Sequence, residues 1–271
     1  MEPLFVFILG TLIGSFLNVV ILRIPKDESV VFTASHCPTC NSPLKPWHNI
    51  PLISWLFLRG KCSFCKSSIS AQYPLIELIS GFIFLALATK FGINIHTLFI
   101  GFSFLTLLAL SMIDFRYKMI PDSLNLLAIL FAIFGAWSFS GVVTNLQNAL
   151  LFAGGFTLLR FGLSYILTSS ARRKSKKYTT SWSKNYHRYP FIEAMGEGDI
   201  MVAATMGALL GVKLTLVAIF LSALLALPVM LLVQRGSKEE QRVPFVPFLA
   251  IATFIIYMFD SPILAYIEAN Y

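Results

Sequence analysis

The stretch Thr97-Leu98-Phe99-Ile100-Gly101-Phe102-Ser103-Phe104-Leu105-Thr106-Leu107-Leu108-Ala109-Leu110-Ser111-Met112-Ile113 carries no charge and stops at Asp114-Phe115-Arg116. A helix needs about 20 mainly apolar residues to cross a bilayer, so this run reads as a membrane span. The carboxylate at its end sits at the boundary with water, where it costs free energy unless it is solvated, paired or put to use. A second boundary is built alike: Gly196-Glu197-Gly198-Asp199 opens onto another apolar run.

Working outward, the rest of the chain repeats the pattern. Of 271 residues, 56% are hydrophobic and 13% charged, and the mean hydropathy is +0.75. A soluble domain carries about 25% charged residues, so the composition implies an all-α polytopic membrane protein. Apolar runs at 4–22, 74–89, 97–113, 124–139, 146–167, 200–210, 214–233 and 244–266 predict about eight transmembrane helices. The sixth is short and either begins within Gly196–Asp199 or runs on into the seventh, which leaves seven spans as the alternative. The first run lacks a basic segment before it and is too long for a signal peptide, so it is expected to remain as a span.

The basic residues orient the chain. All Lys and Arg except Lys90, Lys213 and Arg160 fall after the first, third, fifth and seventh runs. Those connections are expected in the cytoplasm, with both termini outside. The formal charge of +8 is explained by this bias, and no nucleic-acid partner is expected; the partner of the basic stretch is the lipid bilayer. Three parts follow: a first transmembrane helix at 1–22, a cytoplasmic cysteine-bearing segment at 23–72, and a helical membrane domain at 73–271 with a basic cytoplasmic loop at 169–198 whose start reads as flexible.

Cys37-Pro38-Thr39-Cys40 and Cys62-Ser63-Phe64-Cys65 form two C-x2-C pairs. Such pairs place two sulfurs on one side of a tight turn, and two turns can close around a tetrahedral Zn²⁺. A cytoplasmic position favours metal over disulfides. Four thiolates leave no open coordination position, so the ion would be structural.

Asp114 and Asp199 each have a structural alternative: Asp114 pairing with Arg116 or Lys118, Asp199 capping a helix, with Gly196 and Gly198 permitting a turn. Together they suggest more, if the third and sixth spans pack side by side. Two close carboxylates share a proton, one then activating water as base and the other protonating the departing nitrogen. Asp122 reads as an N-cap. Glu77, about one turn into the second span, is either an interfacial hydrogen-bonding group or part of a site near the cysteine segment. Arg160, inside the fifth span, is expected to snorkel or to pair with a bundle carboxylate.

Taken in order, Gly14–Ile21, the cysteine pairs, Asn49–Trp55, Tyr73–Glu77, Ile113-Asp114, Ile120-Pro121-Asp122, Met195–Asp199 and Pro244–Phe248 resemble the bacterial type IV prepilin peptidases. That resemblance implies an intramembrane aspartic protease with Asp114 and Asp199 as catalysts. It also implies prepilin or pseudopilin substrates cut after a Gly that follows a basic leader, and N-methylation of the new terminus from S-adenosylmethionine by the cysteine-bearing side. Gln72 stands where the family commonly has Arg. The alternatives are a peptidase without methyl transfer, or a zinc-clipped membrane transporter or scaffold of a secretion system.

Overall fold

The computed structural model describes residues 2–32, 35–178, 195–233 and 243–270. Its order is α1 (Glu2–Arg23), α2 (Ile53–Phe57), α3 (Gln72–Phe91), α4 (Ile95–Tyr117), α5 (Asp122–Gly135), α6 (Trp137–Ser140), α7 (Val142–Tyr178), α8 (Glu197–Val233), α9 (Val246–Met258) and α10 (Asp260–Asn270). Among the described residues there is no strand, only isolated bridges at His36–Pro43 and Lys61–Ser68.

Five helical stretches are long and apolar enough to cross a membrane, and α9 with α10, bent by 78°, makes a sixth if the pair is one span. Helix α5 is apolar but shorter. Large side chains such as Leu4, Phe5, Leu158 and Phe220 face outward, as lipid-facing residues do. Small and polar residues turn inward, where van der Waals packing and hydrogen bonds replace the hydrophobic effect as the cause of association. On α1, Gly10 and Gly14 lie four apart; a Cβ on Gly14 would sit 2.7 Å from the Ser80 side chain of α3. Asn18 extends this contact by donating to the Tyr73 carbonyl at 3.1 Å. Ser103 of α4 donates to the Ala128 carbonyl of α5 at 3.0 Å.

The sixth and seventh apolar runs fall within α8, which would be too long for one crossing if straight: 37 residues at about 1.5 Å each span roughly 55 Å, against about 30 Å of hydrocarbon. It is not straight. Gly211 has φ 70 and ψ −178, a conformation only glycine adopts without strain. Thr215 Oγ1 donates to the Met206 carbonyl at 3.2 Å, whereas nine residues of straight helix would part them by about 13 Å. The chain therefore turns sharply at Gly211, which brings Thr215 back against the last turn before the break.

The basic stretch from 169 also differs from expectation. Helix α7 continues through it to Tyr178, because Ala, Arg and Lys are good helix formers once a helix is under way. The remainder of the expected loop, 179–194, lies outside the described residues.

Candidate active site

Asp114 occupies the last turn of α4. That turn closes at Lys118, left-handed at φ 53, whose N–H returns to the Asp114 carbonyl at 2.9 Å; this is an αL cap without glycine. The Asp114 side chain is buried, and its Oδ2 accepts the Val246 N–H at 3.2 Å. The Phe245 N–H bonds to the same carboxylate. Phe245 and Val246 begin α9, and the first N–H groups of a helix have no partner within it. A carboxylate on α4 thus caps α9 and meets its positive end. Pairing with Arg116 or Lys118 is not what the fold provides: among the described residues neither forms an ion pair with Asp114.

Asp199 is the third residue of α8 and half-buried. Its carboxylate accepts the Gly196 N–H, the reach of an N3 acid back to the cap residue. It therefore caps its helix from within the first turn rather than from the cap position. The charge of Asp114 acts on Asp199, so the two carboxylates lie within electrostatic range. Side-by-side packing of their helices is not how this arises, since α4 and α8 form no extended contact. Helices α5 and α9 each pack against both and hold the two ends together.

The glycines differ in role. A Cβ on Gly198 would lie 2.5 Å from Ile120, whereas one on Gly196 would meet only the Asp199 Oδ2 at 3.5 Å. Gly198 is thus required by close packing on the α4–α5 connection, and its carbonyl accepts from Asn125 Nδ2 at 3.5 Å. Glu197 is taken by Arg160, Nη1 to Oε1 2.9 Å, with side-chain exposures of 80% and 14% respectively. Arg160 thereby anchors the Gly196–Asp199 segment from α7. Asp122 is the first residue of α5; Pro121 holds the cap position, and no side-chain cap bond forms. The expected N-cap is therefore replaced by an exposed charge in the first turn.

Glu77 of α3 is also buried. Its Oε2 accepts the Leu52 N–H at 2.8 Å, and Ser15 hydrogen-bonds to the same carboxylate. Leu52 has φ 60 and ψ −50, a conformation that costs a non-glycine residue about 1–3 kcal/mol. Glu77 thus ties the Asn49–Trp55 turn to the helix ends. Trp55 folds in, its Nε1 donating to the Ile69 carbonyl at 3.3 Å, while Trp47 and Phe57 stay exposed.

The cysteine segment consists of two like turns. The Asn41 N–H returns to the Cys37 carbonyl at 2.9 Å and the Lys66 N–H to the Cys62 carbonyl at 3.1 Å. Asn41 and Lys66 are both left-handed, φ 54 and 61. The four sulfurs lie within 4.8 Å of one another, Cys37 and Cys65 at 3.8 Å. A tetrahedral ion with bonds of about 2.3 Å to sulfur needs edges of roughly 3.8 Å, so the set can hold a metal. Cys37 is already inclined to ionise: bonds from the Cys40 and Thr39 backbone lower its thiol to about 6.

Residues 8–91 match the model of the bacterial peptidase A24 N-terminal domain, and residues 99–231 that of the type IV leader peptidase family. A prepilin leader peptidase/N-methyltransferase of Neisseria gonorrhoeae is 35% identical, over 92% of this chain and 88% of that protein. Proteins of the same name from Xanthomonas campestris and Stutzerimonas stutzeri are each 33% identical, over 93% and 95% of this chain and 90% and 91% of theirs. No solved structure matches. With both family models and near full-length relatives in agreement, this chain belongs to the type IV leader peptidase family.

Proposed function

We propose that the chain removes the basic leader from type IV prepilins or pseudopilins, after a Gly at the cytoplasmic membrane face, and N-methylates the newly exposed residue. The cleavage reading is carried by the charge of Asp114 acting on Asp199, with α5 and α9 each packed against both of the helices that bear them. One carboxylate takes a proton from water as the oxygen attacks the scissile carbonyl. The other, protonated, gives its proton to the departing amide nitrogen. The bonds from Val246 and Phe245 fix the Asp114 carboxylate, and Gly198 and Arg160 hold the segment that carries Asp199.

Glu197, engaged by Arg160, serves to hold the segment that carries Asp199. Cys37, Cys40, Cys62 and Cys65 hold a structural Zn²⁺, a closed thiolate shell that stabilises the segment without joining the chemistry.

Eight crossings fit this scheme. Helices α1, α3, α4, α5 and α7, the two arms of α8 and α9 each cross once, with Asp114, Asp199 and the cysteines on the cytoplasmic side and the termini outside. A membrane peptidase body at 73–271 then carries the metal-clipped segment at 23–72 against its first helix. The apolar segment of a pilin lies in the bilayer while its leader stays in water, which puts the scissile bond at the depth of the two aspartates.

The test is incubation of the purified, reconstituted protein with a prepilin, with and without S-adenosylmethionine, and weighing of the products. Loss of the leader, plus one methyl group only when the donor is present, is expected. Cleavage without the methyl group would leave a peptidase alone, and an intact precursor would favour a zinc-clipped scaffold.

A further inference from the structure

Helix α2 turns its apolar face away from the protein. Ile53, Leu56 and Phe57 share one face by their spacing and are 51%, 66% and 84% exposed. The protein holds the other face: Ser54 is buried and its Oγ donates to the Trp47 carbonyl at 2.7 Å. That bond keeps the exposed Trp47 beside the helix. In water such a cluster of large apolar side chains is unfavourable.

Depth accounts for it. Leu52, just before α2, donates its N–H to Glu77 at 2.8 Å, and Ser15 bonds to the same carboxylate. Glu77 lies five positions after Gln72, where α3 starts, and Ser15 eight positions before Arg23, where α1 ends. At 1.5 Å per residue these are about 7 Å and 12 Å inside the helix ends. Helix α2 therefore starts at the depth of an interfacial helix, about 5–10 Å into the headgroup boundary. Phe16 of α1 and Leu75 of α3, close in sequence to the two anchors, are themselves exposed toward lipid. The charge agrees with this depth. Residues 29–76 carry Lys45, Arg59, Lys61 and Lys66 and no Asp or Glu, and all four cations are exposed. Lys45 Nζ stands 5.3 Å from the Trp47 ring centre, and Arg59 and Lys61 come two and four positions after the last residue of α2.

We propose that this face of the cysteine-bearing segment docks into the bilayer interface on anionic phospholipid. Trp47, Ile53, Leu56 and Phe57 enter the acyl boundary, while Lys45, Arg59 and Lys61 reach back to the lipid phosphates. The inference rests on α1 and α3 crossing the bilayer, and on neither the cleavage nor the methyl-transfer reading. Continuity with the lipid-facing sides of α1 and α3, and cations without a carboxylate among them, favour lipid over a second copy or a protein partner. Insertion takes the apolar face out of water, which offsets the strained backbone of Leu52 just before it. The segment is then held at a fixed height by lipid as well as by its links to the two helices.

The test uses the full chain in nanodiscs of phosphatidylcholine with a minor share of phosphatidylglycerol. Photoreactive benzoylphenylalanine replaces Phe57 in one protein and Phe5, at the far end of α1, in another. After irradiation the adducts are weighed, and each retains the headgroup of the lipid it captured. Lipid adducts are expected at both positions. Phosphatidylglycerol should be enriched about threefold or more over its share of the disc at position 57 and not at position 5. That enrichment should vanish when Lys45→Gln, Arg59→Gln and Lys61→Gln are combined at unchanged zinc content; if the combination loses zinc, the enrichment with the native cations decides. Lipid at position 5 and none at position 57 would overturn the docking and leave the spans standing. No lipid at either would remove the span reading itself. Lipid at position 57 without enrichment would overturn the anionic assignment. Cross-links from position 57 to a second copy of the chain or to added prepilin would reassign the face to that partner and overturn the proposal.

Discussion

The carboxylate of Asp114 accepts the backbone N–H of Val246 at 3.2 Å, across 132 positions of sequence. The bond separates two roles of one side chain, charge for chemistry and acceptor for a helix end. Asp114→Asn keeps an acceptor oxygen, whereas Asp114→Ala leaves a buried N–H unmet at a cost of about 1–3 kcal/mol. Both variants are expected to lose cleavage, and only the alanine variant to show a lowered thermal transition. Equal transitions would mean that the bond contributes nothing to the fold.

Gly198 and Gly196 should respond differently to one added methyl group. Gly198→Ala drives a Cβ to 2.5 Å from Ile120, which must shift the start of α8 and with it Asp199. Cleavage is expected to fall by about tenfold or more, the effect of misplacing a catalytic group by a fraction of an ångström to an ångström, with partial recovery in the Gly198→Ala, Ile120→Gly double variant, because the Ile120 Cβ is itself one of the clashing atoms. Gly196→Ala meets only an ordinary contact at 3.5 Å and should retain most activity in the same assay.

The Arg160–Glu197 pair tests how firmly the segment around Asp199 is anchored. Glu197 is 80% exposed, and pairs so open to water contribute about 0–1 kcal/mol. Glu197→Gln is therefore expected to lower cleavage by less than about fivefold, with no further loss on adding Arg160→Gln. Strictly additive losses in the double-mutant cycle would show that the two residues act separately.

Metal removal should act on the cysteine-bearing segment. Cys37→Ser is expected to lower bound zinc measured by elemental analysis and to make residues 35–70 sensitive to protease, while α4 to α9 keep their helical signal. Backbone bonds lower the Cys37 thiol to about 6, so it is mainly thiolate at pH 7. The bound ion holds its thiolates against protons, so release is expected only at pH well below 6, where protons compete for the sulfurs; absence of bound zinc at neutral pH would contradict the thiolate clip.

Much of this was legible in the chain itself. The apolar runs announced the helices because lipid leaves a continuous apolar surface in sequence, and the cysteine spacing announced the clip because each turn is local. Long-range backbone contacts were not legible: nothing near Asp114 signals that the N–H of Val246 will meet it, or that α5 and α9 will join α4 to α8. The helical continuation to Tyr178 was hidden by charge, since Arg and Lys read as solvated loop although they extend helices well.

The central claim is that Asp114 and Asp199 cut the prepilin together, and single isosteric substitutions test it most directly. Reconstituted wild type, Asp114→Asn and Asp199→Asn proteins, matched for zinc content and thermal transition, are incubated with the same prepilin and the products weighed. The account predicts leader loss by the wild type and only intact precursor from each variant. Cleavage by either variant at a rate near the wild type would contradict it.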